Sequence, residues 1–275
     1  MPHRRVDVRI AVGLEYDGSG FCGWQTQSSG CSLQDAFERA LAAIAGDPVA
    51  SVCAGRTDAG VHAFGQVAHF DVTVHRPVTA WVRGVNAHLP RSIAVTWARE
   101  VTQAFHARFS ARSRSYRYVL LNRPERPGLF RGRAGWYHHA LDVEAMREAA
   151  QHLVGEHDFS AFRSAECQSR SAVRQMLSIA IHREDSLVTM DFRANAFLHN
   201  MVRIIVGCLI EVGSGKRSPS WLGEVRDARD RTQAAATAEA AGLYLVSVSY
   251  DGRWDFPRVI RPLPPGVQGL SLPWP

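Results

Sequence analysis

Between residues 55 and 62 the chain reads Gly55-Arg56-Thr57-Asp58-Ala59-Gly60-Val61-His62. Two glycines five apart bracket a tight loop, and its only carboxylate, Asp58, lies at the centre. A lone aspartate in a glycine loop can do no more than cap backbone N–H groups in an Asx-turn. An ionised carboxylate held in a cleft can instead serve as a nucleophile or a base. Arg56, two residues earlier, and Arg203, far along the chain, weigh towards the second reading. Arg203 sits among Val202, Ile204, Ile205 and Val206, where a helix has little exposed face. A guanidinium buried without a carboxylate is costly. Arg203 therefore reaches solvent along its stem, joins an ordinary structural ion pair, or pairs with Asp58 and keeps it ionised and oriented.

A third group of residues has the chemistry of nucleic-acid binding. Phe105-His106-Ala107-Arg108-Phe109 and Ser115-Tyr116-Arg117-Tyr118 interleave aromatic and arginine side chains, which can stack a base and hold phosphates. Strand alternation puts Tyr116 and Tyr118 on one face; the pattern favours the core for Tyr118 and leaves Tyr116 open. The charge balance agrees. Basic residues number 32 against 26 acidic ones, a net charge of +6, and Lys216 is the only lysine. A GC-rich genome accounts for part of such a bias, but arginine also binds phosphate bidentately and stacks on bases. Its clusters, Arg108-Arg112-Arg114-Arg117 and Arg123-Arg126-Arg131-Arg133, are expected to hold phosphates. No basic amphipathic helix accompanies them, which favours a nucleic acid over a membrane.

Other chemistries find little support. The five cysteines include no CxxC pair, giving neither a disulfide framework nor a zinc spacing, as suits a reducing compartment. The twelve histidines have no metal spacing, and neither a dinucleotide nor a P-loop motif is present. No stretch approaches the roughly 18 apolar residues of a membrane span. The N-terminus enters no signal-peptide apolar block, so a cytoplasmic location is expected.

These residues need elements to position them. Residues 6–16 alternate as a strand, and Ser32-Leu33-Gln34-Asp35 has the form of a capping box opening a helix closed by Gly46. Strands at 49–54, 65–74 and 93–101 and a helix at 78–88 complete a β-α-β-β-α-β order, the split ferredoxin-like arrangement. A similar order recurs: a strand at 113–122, a helix at 143–154, a hairpin of 173–182 with 187–194, helices at 196–212 and 220–228, and a strand at 243–250. The expectation is an α+β protein of two ferredoxin-like units, residues 1–104 and 105–250, whose antiparallel sheets meet around a central basic cleft. A proline-rich tail, residues 251–275, follows.

Seven segments in order resemble the signatures of the tRNA pseudouridine synthase A family. They are Tyr16-Asp17-Gly18 with Gly23-Trp24-Gln25, the Gly55-to-His62 loop, Phe105-His106-Ala107-Arg108-Phe109, Tyr116-Arg117-Tyr118, His157-Asp158-Phe159, Cys167-Gln168-Ser169-Arg170, and Phe197-Leu198-His199-Asn200-Met201-Val202-Arg203. They span roughly residues 10–250. The resemblance implies a homodimeric isomerase, free of metal and cofactor, acting on uridines 38, 39 and 40 of the tRNA anticodon stem-loop. It implies that Asp58 is catalytic, that Tyr116 stacks on the uracil and that Arg203 pairs with the aspartate. Phe105, His106, Ala107, Arg108 and Phe109 match the base-flipping segment, with Arg108 as the wedge. Arg56 and the segment Glu166, Cys167, Gln168, Ser169, Arg170 match tRNA-contacting positions. Cys167 is read as structural because Asp58 is present. Two alternatives stand beside this: a non-catalytic tRNA-binding or folding protein on the same scaffold, and a pseudouridine synthase for other RNA positions.

Overall fold

A computed structural model of the protein describes residues 7–257. The chain runs β1 (Val8–Tyr16), α1 (Leu33–Ala45), β2 (Ser51–Cys53), β3 (His62–Val72), a π-helical turn (Ala80–Gly84) leading into α2 (Val85–His88), and β4 (Ile93–Val101). It continues through β5 (Ser113–Asn122), β6 (Gly135–Tyr137), α3 (Val143–Gln151), β7 (Gly155–Asp158), β8 (Val173–Glu184), β9 (Leu187–Ala194), α4 (Met201–Gly213), α5 (Trp221–Ala228) and β10 (Leu243–Ser249). The class is α+β.

Local rules account for most boundaries. At α1 the Ser32 side chain accepts the Asp35 N–H while the Asp35 carboxylate accepts the Ser32 N–H, and Gly46 closes the helix at φ 85°. Ile10, Val12, Leu14 and Tyr16 alternate along β1 and share one core with Leu33, Phe37 and Leu41 of α1. Tyr118 and Leu120 of β5 extend that core to Met146 of α3 and to Ile205 and Leu209 of α4. The helices thus cover one face of the sheet. On the opposite face are two smaller clusters, one around Val119, Leu121, Leu187 and Tyr244, the other around Ala11, Val67, Phe105 and Ala107.

The expected pair of sheets is a single ten-stranded sheet. Its order is β4-β1-β3-β10-β5-β9-β8-β7, with β2 on β3 and β6 on β5. β10 joins the halves: it is parallel to β3 through Tyr244↔His62 and Leu245↔Ala63, and antiparallel to β5. The cause is a mismatch of strand lengths. Three-residue β2 pairs only with the Ala68-to-Phe70 stretch of eleven-residue β3, leaving the start of β3 as an open edge. Unpaired backbone there would be costly, and β10 satisfies it.

Other differences are local. The helix expected from residue 196 begins at Met201, because Asn200 takes a left-handed conformation at φ 60° and leaves residues 196–199 as a loop. The three-residue β6 and four-residue β7 are too short to carry a periodic signal. Cys22 and Cys31 form one disulfide, with Cα atoms 5.6 Å apart. The Cys22 N–H donates to the Cys31 carbonyl at 3.2 Å, a loop closure that cysteine spacing does not encode. Most of the tail, residues 258–275, lies outside the described residues. Trp254 and Phe256, which precede it, pack against Phe105.

Arg117, expected to hold phosphate, instead makes two bonds to Asp191 across the β5–β9 ladder, at 2.5 and 2.7 Å. Both side chains are buried. Deleting one member of such a pair strands the other charge, at a cost of about 3–5 kcal/mol. Asp191→Ala is expected to lower the urea-unfolding free energy by that amount. Arg117→Met combined with Asp191→Leu should recover most of it.

Candidate active site

The Asp58 loop leaves the sheet where β2 and β10 share one edge of β3. Nearly every group in it except the carboxylate is tied down. The Gln66 amide donates to the Gly55 carbonyl at 2.7 Å, and the Thr57 hydroxyl meets the Tyr16 hydroxyl at 2.8 Å. Burial pushes the Tyr16 phenol far above its ordinary value, so it stays protonated. The Trp24 N–H donates to the Thr57 carbonyl at 2.9 Å, and the Val61 N–H to the Asp58 carbonyl at 3.1 Å. The approach of residues 22–24 requires glycine at position 23: its φ is +94°, and an added Cβ would lie 2.8 Å from the Thr57 carbonyl oxygen. The motif segment at residues 16–25 is therefore the cradle of the loop.

The carboxylate of Asp58 is one-quarter exposed. Its Oδ2 lies 3.4 Å from Nη1 of Arg203, and its Oδ1 lies 3.1 Å from Nε2 of His199. Arg203 stands in the first turn of α4. Its Nε donates to the Ala238 carbonyl at 2.8 Å and its Nη1 to Oδ1 of Asn200 at 2.7 Å. Gly207, one turn further, lets the segment before β10 lie directly on α4, since a Cβ there would be 2.0 Å from the Ala236 carbonyl oxygen. Of the three placements open to Arg203, the structure realises the pairing with Asp58.

Tyr116 projects from β5 into the same site, with its ring edge-on to Phe197 at 5.0 Å between centroids. Burial first, and the Asp58 charge second, push its phenol above the ordinary range. Tyr118 is a core residue whose hydroxyl donates to the Glu239 carbonyl. Arg56 reaches across to Gln168, Nη1 to Oε1 at 3.2 Å, linking the aspartate loop to residues 166–170. Glu166, Gln168 and Arg170 are exposed, and Cys167 and Ser169 are half-buried. Partial burial raises the Cys167 thiol, but the N–H groups of His199 and Ser169, with Arg163 and Arg174, bring it below its ordinary value.

The 105–109 segment divides into anchor and tip. Phe105 and Ala107 are fully buried, and the Ala107 N–H donates to Nδ1 of His69. That bond needs a neutral imidazole, and burial lowers His69 to about 4. His106 stacks on Phe109 at 4.3 Å, Phe109 is 76% exposed, and the Arg108 guanidinium lies 5.7 Å over its ring. Arg114 is not a free phosphate-binding group. Its Nη2 donates to the Ala54 and Arg108 carbonyls and its Nη1 to the Asn195 carbonyl, binding the roots of three loops together.

A family model described as tRNA pseudouridine synthase matches residues 14–110 and 149–251. The matched segments contain the Asp58 loop, residues 105–109 and 166–170, and Arg203; Tyr116 falls between them. The chain belongs to the tRNA pseudouridine synthase family. It is 58% identical over 250 residues to tRNA pseudouridine synthase A of Thiobacillus denitrificans, covering 91% of this chain and 96% of that protein. It is 54% identical to tRNA pseudouridine synthase A of Dechloromonas aromatica, covering 91% and 95%, and 51% identical to that of Burkholderia mallei, covering 97% and 96%.

Sequence reasoning passed over His199, Phe197 and Asn200. The signal for His199 was its position four residues before Arg203, but a helix drawn through residue 199 obscured the loop that carries it. Arg203→Met replaces the guanidinium with a good helix former of similar length. The variant is expected to stay folded while its turnover falls by about 10- to 100-fold, the worth of one hydrogen bond to a charged group. Circular dichroism and single-turnover assays check the two halves separately.

Proposed function

We propose that the protein converts uridine to pseudouridine at positions 38, 39 and 40 of the tRNA anticodon stem-loop, as a cytoplasmic homodimer that needs no cofactor. The observation that carries this is a loop aspartate whose carboxylate is held by Arg203, beside Tyr116, in a chain of this family. The target positions, the homodimer and the cytoplasmic location follow from the family resemblance. Among the described residues no helix is long and apolar enough to cross a membrane. In a reducing cytoplasm Cys22 and Cys31 would be two thiols.

The reaction breaks the N1–C1′ glycosidic bond, turns the uracil and joins C5 to C1′. N1 gains a proton and C5 loses one, so no oxidant or group donor is required. Asp58 acts either as a nucleophile on the sugar or ring, or as a base that takes a sugar proton to give a glycal. Arg203 supplies positive charge beside the carboxylate in both cases. Tyr116, a neutral phenol with an aromatic face, stacks on the uracil. Residues 1–104 supply the aspartate loop, and residues 105–250 supply Tyr116, Arg203 and most of the RNA contacts.

A stem uridine must leave its stack first, at a cost of a few kcal/mol. Arg108, on the tip of the 105–109 segment beside exposed Phe109, is the wedge. Arg56, Glu166, Cys167, Gln168, Ser169 and Arg170 contact the tRNA, and exposed arginines add sequence-independent phosphate contacts.

Asp58→Asn keeps size and polarity and removes the charge. It is expected to bind tRNA as wild type does and to form no pseudouridine at positions 38–40, as mapped in tRNA from cells complemented with each form. Product within tenfold of wild type would remove Asp58 from the chemistry. Arg108→Ala is expected to slow single turnover on a paired target far more than on an unpaired one, leaving the salt slope of log K unchanged. A phosphate contact would lose equally on both targets and flatten that slope by ~0.7–0.9.

A further inference from the structure

Asp58 has a second partner, and it is the closer one. Nε2 of His199 lies 3.1 Å from Oδ1, against 3.4 Å from Nη1 of Arg203 to Oδ2. Nη1 of Arg203 gives one N–H to Asn200 at 2.7 Å and the other to Oδ2 of Asp58, at a distance long for a hydrogen bond. Arg203 therefore holds only one oxygen of the carboxylate, by a weak bond. A single distant donor leaves a carboxylate free to turn about its Cβ–Cγ bond. A second donor on the other oxygen stops that rotation.

His199 is built to be that donor. It lies in the short loop between β9 and α4, and left-handed Asn200 after it turns the chain into the helix. Its carbonyl accepts the Ser164 N–H at 3.2 Å, and its own N–H faces the Cys167 thiol. The peptide is thus fixed at the root of the 166–170 segment while the ring reaches the carboxylate. The His199 side chain is one-third exposed and belongs to no apolar cluster among the described residues.

We propose that His199 is a positioning residue of the isomerase: its Nε2–H donates to Oδ1 of Asp58 and, with Arg203 on Oδ2, fixes the plane of the carboxylate. This rests on the assignment of Asp58 as the reacting group. It also makes one peptide common to the tRNA-contacting segment and to the catalytic carboxylate, so that displacement of the segment turns Asp58.

The test compares His199→Ala, His199→Gln and Asp58→Asn in the full-length protein, using an in vitro transcribed tRNA with uridine at position 39. Single-turnover rate and tRNA Kd are measured separately, at a temperature where thermal melts show every form folded. His199→Ala is expected to lower the rate by about 10- to 100-fold with Kd within about twofold. Glutamine, whose amide can place an N–H near the position of Nε2, should restore most of the rate. The inference fails if His199→Ala reacts at the wild-type rate, if alanine and glutamine are equally slow, or if the whole loss lies in Kd. Asp58→Asn separates the two levels. If it is inactive while His199→Ala is fully active, only the role of His199 falls; if it remains active, the assignment of Asp58 falls as well.

Discussion

The site depends on the position of one strand. β10 is parallel to β3 over two residue pairs and antiparallel to β5 over most of its length, and it alone fuses two half-sheets into one. The first half supplies the aspartate loop between β2 and β3; the second supplies Tyr116 from β5 and Arg203 from α4. The segment entering β10 carries the Ala238 carbonyl that holds Arg203, and the Ala241 carbonyl that meets Nε2 of buried His62 at the end of the loop. Strand pairing is obligatory for a buried backbone. The register of β10 therefore fixes the separation of carboxylate and guanidinium more firmly than their own weak contact could.

Arginine serves three purposes here, and its neighbours decide which. Arg117 is neutralised by Asp191 inside the sheet. Arg114 pairs with no carboxylate among the described residues and survives burial by saturating carbonyl oxygens, a use suited to its planar array of donors. Arg203 divides its donors between a carbonyl, an asparagine and the Asp58 carboxylate. Arg56 and Arg108 are among the arginines left exposed.

Rigidity is concentrated around Asp58. Tyr16, Gln66, Trp24 and glycine 23 immobilise the Asp58 loop, and Arg114 ties its root to the 105–109 segment and to the loop before α4. The tip at Arg108 and Phe109 and the side chains of Glu166, Gln168 and Arg170 are left exposed.

The amino-acid sequence alone determined whatever depends on near neighbours or on a motif. The capping box of α1, the alternation of β1 and the limits of β4 and β5 were legible in it, because these signals lie within a few residues, and segments shared with a family marked Asp58 and Arg203 as candidates. The β-α-β-β-α-β element order of the first half was legible too, but not the fusion of the sheets, which turns on three-residue β2 leaving an edge for a strand some 180 residues later: His62 and Ala241 are 179 apart. His199, the Cys22–Cys31 bridge and the division of labour among the arginines were likewise decided only by tertiary structure. Arg203 and Asp58 lie 145 residues apart, and no local periodicity records which buried cation meets which anion. That choice is made by the long-range pairing of the sheet, which brings the Asp58 loop to the first turn of α4 and sets the carboxylate against Arg203 and His199.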